Sequence, residues 1–292
     1  MPNNMNNKKV LVLGAQGMLG QELVKRFRED AKYSVVGWDR EEIDVTDPAF
    51  ANEKIRTYAP DIIFNAVAYN AVDQCEDNAE EYQKAVLLNA NVPHFLAQLV
   101  KAMDVTLVHY STDFVFDGTL EAGYVEDAVP HPLSKYGESK LMGEQYVLAT
   151  GGKNYIIRLS RLFGKPATSA IAKKSFFEKM LEGAQGKKEV MAVDDEKSCF
   201  TYAPDLARAS KALLEEESPY GIYHLPNSEA ATWYDAAQVL FEIANVAVTV
   251  KPVSADTFPR PAKRPRFSVL RNTKRPALRP YTEALREFLQ NM

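Results

Sequence analysis

The stretch Val10–Gly20, VLVLGAQGMLG, constrains this chain more than any other. Four apolar residues, Val10 to Leu13, run into glycines at 14, 17 and 20, and a helical pattern extends from Gln21 to Phe27. The order is strand, tight turn, helix. Such a turn leaves backbone N–H groups at a helix N-terminus, where the dipole favours an anion. Gly14 can take a φ that a Cβ would forbid, Gly17 lets a pyrophosphate approach the backbone, and Gly20 lets the helix pack close on the strand. The spacing is G-x-x-G-x-x-G, not the commoner G-x-G-x-x-G. A glycine triplet alone equally suits a βα turn with nothing bound, so the remaining chain has to decide.

Beyond Gly20 the chain alternates strand and helix. Tyr33–Trp38 (YSVVGW) reads as a second strand ending at Asp39. An acid at that tip accepts hydrogen bonds from adenosine ribose hydroxyls, whereas Arg40 beside it suits a 2′-phosphate, so NADH and NADPH both stay open. Thr46 or Asp47 caps a helix from Pro48 to about Tyr58. The near-continuous apolar run Asp61–Ala68 fits a strand buried on both faces of a parallel sheet. Tyr69–Asp77 reads as a loop, and Ala79–Met103 as one long helix, interrupted by Asn89 and Asn91 and kinked at Pro93. Val105–Tyr110 is the next strand. This alternation predicts an α/β fold with a Rossmann-type doubly wound parallel sheet.

At 292 residues the chain suits one large or two modest domains. Its net charge of −4 gives no general attraction to nucleic acid or an anionic membrane. No apolar run approaches the roughly 18 residues that a membrane span needs. Cys75 and Cys199 fit no metal spacing or disulfide framework and read as reduced, cytosolic thiols. The N-terminal MPNNMNNKK reads as a short polar lead-in without the apolar core of a signal peptide.

Ligands of open α/β sheets bind outside the carboxyl ends of the strands. Ser111, Thr112 and Asp113 stand at such an end, where they either cap the next turn or line a site. A helix from about Ser134 to Leu148 then carries Tyr136 and Lys140 at i, i+4, on one face. A lysine ammonium near a phenol lowers its pKa. Such a tyrosine suits proton donation to a carbonyl oxygen as hydride reaches the carbon, and the lysine can hold a nicotinamide ribose. Tyr-x-x-x-Lys is a common accident on helix surfaces. Its place after a nucleotide turn and a strand-end Ser-Thr gives it weight.

The combination resembles the extended short-chain dehydrogenase/reductases and, within them, the dTDP-4-dehydrorhamnose reductase family. The matching segments are GAQGMLG (14–20), DVTD (44–47), NAVAYNAVDQCE (65–76), YSTDFVFDG (110–118), YGESKLMGE (136–144), TYAPDLA (201–207) and RPAKRPRFSVL (260–270). The resemblance implies a catalytic trio of Thr112, Tyr136 and Lys140, with Thr112 holding the substrate oxygen. It implies that Gly14, Gln16, Gly17, Met18 and Leu19 wrap the cofactor pyrophosphate. Asp39 and Arg40 meet the adenosine ribose, Asp44 and Val45 the adenine, and Ala66, Ala68 and Tyr69 the cofactor along the third strand. On the sugar side it points to Asp113, Phe114, Arg161, Arg260, Arg264 and Ser268. The implied substrate is a dTDP-4-keto-6-deoxy sugar, reduced at C4 with NADPH or NADH in the cytoplasm by a monomer or homodimer, for cell-surface polysaccharide synthesis. Some family members use Mg2+, but no compact carboxylate cluster in this sequence assigns a metal site.

The resemblance also divides the chain into a cofactor domain, residues 1–160 with core strands drawn in part from 190–225, and a smaller, mostly substrate-binding lobe, 161–292. In the second half, strands are expected at Tyr155–Leu159, Ile222–Leu225 and Val246–Val250. Helices are expected at Ser175–Ala184, from Tyr202 through Leu214, at Trp233–Ala244 and at Thr282–Leu289. Arg260, Lys263, Arg264, Arg266 and Arg271 crowd a proline-rich segment. Such a run is either a solvated loop or, facing a nucleotide sugar, a clamp on its diphosphate.

Three places depart from the family pattern. Arg161 replaces a tryptophan expected to pack on the sugar. Asp195–Thr201 lacks the usual glycine and proline, with Ser198 and Phe200 in their region. Residues 165–174 read as an insertion. All three border the sugar and none the nicotinamide. They leave two alternatives: a reductase of another nucleotide-4-keto sugar, or a non-catalytic NADP-binding regulatory subunit, which an intact Tyr136/Lys140 pair opposes.

Overall fold

The apolar run becomes β1 (Lys8–Leu13), its last four residues buried, in a computed structural model that describes residues 7–168 and 174–292. The N-terminal lead-in up to residue 6 and part of the expected insertion, 169–173, lie outside the described residues. After the turn, α1 (Met18–Arg28) lays Leu19, Leu23, Val24 and Phe27 onto the sheet. Then come β2 (Tyr33–Trp38), α2 (Pro48–Tyr58) and β3 (Ile62–Asn65). Asp47 caps α2 by accepting from Ala49 N and Phe50 N, which settles the choice between Thr46 and Asp47.

Two expectations fail next. The expected loop 69–77 contains a short helix, α3 (Val72–Asp77), which leads into α4 (Ala79–Val86). Tertiary packing holds so short a helix: Cys75 is buried against Ala85 and Tyr136. Nor does Pro93 kink the long helix: the break falls where Asn89 and Asn91 are expected to interrupt it, as a π segment, Leu87–Asn91, before α5 (Val92–Met103). The irregularity lies at the asparagines, whereas Pro93 sits in the first turn of α5, where its missing N–H costs little.

Next along the chain are β4 (Thr106–Thr112), α6 (Lys135–Thr150) and β5 (Asn154–Leu159). Gly143 of α6 presses on the π segment, since a Cβ there would stand 2.0 Å from the Asn89 carbonyl oxygen. The C-terminal half holds β6 (Leu162–Phe163), α7 (Phe176–Ala184), β7 (Glu189–Val193), β8 (Lys197–Ser198) and β9 (Thr201–Tyr202). It continues with α8 (Ala203–Glu215), β10 (Gly221–His224), β11 (Asn227–Ser228), β12 (Ala231–Thr232) and α9 (Trp233–Ile243). It closes with β13 (Thr249–Val253), β14 (Leu278–Pro280) and α10 (Tyr281–Gln290).

The main sheet has the order β10-β5-β4-β3-β1-β2, and every pairing is parallel. Its register sets Leu13 opposite Trp38 and Asn65, and Thr112 opposite Leu159, so the strand ends that matter share one edge. One apolar layer, including Val12, Phe64, Tyr110 and Leu206, lies on the α1/α8 face. Another, including Leu13, Ile63, Leu96 and Val147, lies on the α2/α5/α6 face. A third core, rich in aromatics such as Phe163, Phe177, Phe200 and Phe288, belongs to the C-terminal half.

Of residues 190–225, only β10 joins the main sheet, while β7 pairs with β13 outside it. The strand expected at Val246–Val250 is shifted. Val246 N still bonds to Phe241 O at the end of α9, so pairing with β7 begins at Thr249.

Candidate active site

The glycine turn is shaped by close approach. Gly14 has φ +76°, and a Cβ on it would sit 3.0 Å from the Ala66 carbonyl carbon. A Cβ on Gly20 would sit 2.1 Å from Gly14 O, which forces α1 tight against the turn. Gly17 caps α1 without any side-chain bond, and the first turn of this 11-residue helix carries no acid. Its first N–H groups therefore have no side-chain cap, an arrangement that favours an anion. Met18 and Leu19 open the helix. Gln16 spends its N–H on Asp39 Oδ2 (2.9 Å) and its side-chain amide on Glu41 (2.9 Å). Asp39 Oδ1 accepts Arg40 N at 3.0 Å, so this acid ties β2 to the turn, and Arg40 stays exposed beside it. Asp44 is exposed, and Val45 is buried in the core below. Ala66, Ala68 and Tyr69, partly exposed, continue from β3 along the same edge.

Across that edge, Thr112 ends β4. Its Oγ1 accepts from Phe114 N and donates to Asp113 Oδ1, both at 3.2 Å. Tyr136 lies in the first turn of α6, behind the Ser134 cap. Only 8% exposed, its hydroxyl donates to Asn70 Oδ1 at 3.4 Å, and the Phe114 ring meets it edge-on. Lys140 is 2% exposed and donates to the Tyr110 carbonyl oxygen at 2.6 Å.

The expected depression of the Tyr136 phenol by Lys140 is not what the geometry produces. Burial pushes the phenol up, the Thr112 hydroxyl opposes this, and the ammonium is turned toward Tyr110. Tyr136 is thus a protonated phenol at neutral pH. Burial also lowers Lys140 to about 8, with the Glu144 carboxylate pulling the other way.

On the sugar side, three expectations change. Asp113 and Ser268 do not face outward. They are 2% and 3% exposed, and Asp113 Oδ2 accepts from Ser268 Oγ (2.6 Å) and Ser198 Oγ (2.9 Å). The desolvation cost of a buried carboxylate is offset by these donors. Arg264 is already paired bidentately with Asp73 (2.5 and 2.7 Å), and Arg260 with Glu196. Arg161 does not strip the site of aromatic surface: its guanidinium stacks 3.8 Å over Trp233 and 5.1 Å over Phe200. It donates to Ala231 O and Glu196 O, from a backbone at φ +42°. Phe114 remains partly exposed next to Tyr136.

Across residues 8–292 the chain matches the family described as the RmlD substrate binding domain. It belongs to that family. Among curated relatives, the spore coat polysaccharide biosynthesis protein SpsK of Bacillus subtilis is 35% identical over 97% of both chains. A probable dTDP-4,6-dihydroxy-2-methyloxan-3-one 4-ketoreductase of Streptomyces antibioticus is 36% identical over 95% of this chain and 93% of its own. Among solved structures, dTDP-4-dehydrorhamnose reductase of Bacillus anthracis in complex with NADP superposes with a TM-score of 0.91 at 30% identity, covering 98% of this chain and all of the other.

Within this RmlD-type chain, sequence reasoning misses the roles of four residues. Asn89 in the π segment binds Tyr69 N, Tyr69 O and Ser139 Oγ. Its place as a polar break in an apolar stripe is the one available signal. Ser198 and Glu196 fall in the Asp195–Thr201 departure already noted, but their partners, like those of Trp233, are long-range contacts that no local pattern exposes. Among the described residues, no group of three or more His, Cys, Asp or Glu could hold a metal ion.

Proposed function

We propose that this chain reduces the C4 ketone of dTDP-4-dehydrorhamnose (dTDP-4-dehydro-6-deoxy-L-mannose) to dTDP-L-rhamnose with NADPH or NADH. One observation carries the reading. An uncapped, acid-free helix N-terminus and the Thr112/Tyr136/Lys140 group stand on the same edge of one parallel sheet. The names of the relatives supply the substrate class.

The nicotinamide, when bound, supplies the hydride. Tyr136 holds the proton that the ketone oxygen needs: a phenol kept neutral by burial is a donor, not a base. Lys140, still largely a cation at neutral pH and held on the Tyr110 carbonyl oxygen beside Tyr136, would hold the nicotinamide ribose. Thr112, fixed at the strand end, contacts the reacting oxygen. Met18 and Leu19 would hold the pyrophosphate through their N–H groups, and Asp39 and Arg40 would hold the adenosine ribose. The Gly14 approach to the Ala66 backbone leaves no room for a Cβ at the turn.

On the sugar side, the segment 260–271 clamps the diphosphate. Lys263 and Arg266 are exposed, and Arg264 reaches a phosphate by exchanging it for Asp73. Arg161 supports a second reading, a differently substituted dTDP-4-keto sugar, because a fixed cation in the Trp233/Phe200 corner offers N–H donors where a flat apolar wall would offer none. No helix among the described residues is long and apolar enough to cross a membrane. The two buried cysteines, in no disulfide among the described residues, suit a reducing cytoplasm, in which the enzyme works as a monomer or homodimer.

The test is direct. Purified protein is mixed with dTDP-4-dehydrorhamnose and either cofactor, and absorbance is monitored at the nicotinamide band. Oxidation dependent on the sugar nucleotide is expected; its absence with both cofactors refutes the reading.

A further inference from the structure

Asp113 is the most heavily engaged carboxylate in the neighbourhood of Thr112, yet it touches no basic side chain. Its Oδ1 accepts from Thr112 Oγ1 (3.2 Å), and its Oδ2 accepts from Ser198 Oγ (2.9 Å) and Ser268 Oγ (2.6 Å). All four side chains are at most 8% exposed. They come from three separate parts of the chain: the end of β4, the strand β8, and the basic segment. The two latter parts are also joined through their backbones. Lys197 N donates to Arg266 O (2.7 Å), and Ser268 N donates to Lys197 O (2.9 Å). Phe267 N reaches Gly118 O at 3.1 Å, just beyond the β4 end.

Burying a carboxylate is costly, and an apolar side chain would fill the same space without that cost. Burial indeed pushes the Asp113 carboxyl up, against the pull of Ser268, Ser198 and the Arg161 cation. What the carboxylate adds is register. Three hydroxyl donors aimed at one group fix three segments relative to each other, and hydrogen bonds to a charge are the strong ones. The segment fixed to Thr112 is the one that carries Arg264 and Arg266.

We propose that Asp113 is a positioning residue: its buried carboxylate clasps β8 and the basic segment to the Thr112 hydroxyl, holding the nucleotide-sugar clamp in register with the reacting oxygen. This rests on the reading of Thr112 as catalytic. An error of about 1 Å in such a placement can cost a hundredfold in rate.

Asp113→Asn keeps the shape and removes the charge, and Ser198→Ala/Ser268→Ala removes two donors and leaves Thr112 paired. Hydrogen exchange at the Lys197, Phe267 and Ser268 amides needs no substrate and reads the clasp itself. At least tenfold faster exchange is expected in both variants. Steady-state kinetics at saturating cofactor then read its purpose. The serine variant raises KM for the sugar nucleotide about tenfold with kcat near wild type. Asp113→Asn also lowers kcat ten- to a hundredfold, with cofactor Kd unchanged. Combining all three changes is no worse than Asp113→Asn alone. Unchanged exchange overturns the clasp. Faster exchange with kcat and KM both within twofold of wild type overturns its positioning role. A wild-type protein that oxidises neither cofactor defeats the reductase reading instead, while the exchange result still judges the clasp.

Discussion

Gly17 and Gly20 lie three residues apart, and alanine at each should fail in a different way. At Gly20 an added Cβ meets Gly14 O at 2.1 Å and the Ala15 Cα at 2.8 Å, against about 3.4 Å for ordinary contact. The overlap of about 1.3 Å is with backbone, so no rotamer relieves it, and α1 or the turn must move by about 1 Å. Overpacking costs about 1–3 kcal/mol, and a backbone clash belongs at the upper end. The better helix propensity of alanine returns about 1 kcal/mol, leaving a loss of about 2. Unfolding entropy of about 2.1 cal/mol/K per residue, over 292 residues, converts that into a Tm lower by about 3 °C. The displaced N–H groups should also weaken cofactor binding at least tenfold, or about 1.4 kcal/mol. Gly17 differs. Its φ of −68° and ψ of 161° suit any residue, and its closest contact would be 3.2 Å. Gly17→Ala should lower Tm by no more than about 2 °C, since alanine is a poorer N-cap than glycine by about 1 kcal/mol. Its Cβ should still obstruct the pyrophosphate and weaken the cofactor at least tenfold. Thermal melts and nicotinamide fluorescence titrations of both variants give the answer. Cofactor affinity within twofold of wild type in Gly17→Ala would refute the placement of the pyrophosphate. An unchanged Gly20→Ala would refute the packing argument.

Three further outcomes are expected. Glu144 and Arg158 form a bidentate pair, each 1% exposed, so Glu144→Gln leaves a buried guanidinium uncompensated. The expected loss is about 3–5 kcal/mol, seen as a Tm lower by about 5–8 °C; an unchanged melt would contradict it. Lys140 titrates near 8, below the ordinary lysine value, so its ammonium is lost as pH rises through that region. The value of kcat/KM should therefore fall above about pH 8, and a descending limb only above pH 10 would show that burial does not govern it. Arg264→Ala should raise KM for the sugar nucleotide about tenfold with little change for the cofactor, and equal effects on both would count against a diphosphate clamp.

The first half of the chain is legible because its signals are local. A buried parallel strand must be apolar throughout, and a glycine turn must lack Cβ atoms where backbones touch, as Gly14 does against Ala66. The π segment escapes because helix periodicity cannot distinguish a polar break from a change of winding. The close approach of Gly143 to Asn89 in that segment joins residues about fifty apart in sequence. The state of the Tyr136 phenol is hidden because spacing puts two side chains on one face without saying what else each can reach. Lys140 reaches a carbonyl, and burial then dominates the tyrosine. In the sequence Arg161 shows only its charge, and folding alone brings Trp233 and Phe200 beneath it. The sugar side is assembled from such distant pieces, including Asp113 with Ser198 and Ser268, which is why sequence patterns describe it least well.

In the proposed reaction Tyr136 gives the proton to the ketone oxygen. Tyr136→Phe removes one oxygen from a buried ring and leaves Lys140 and the glycine turn in place. Single-turnover oxidation of bound NADPH by dTDP-4-dehydrorhamnose should slow at least a hundredfold, within the range of general acid catalysis, with cofactor Kd unchanged. A rate within threefold of wild type would contradict the account, because the proton would then come from another group.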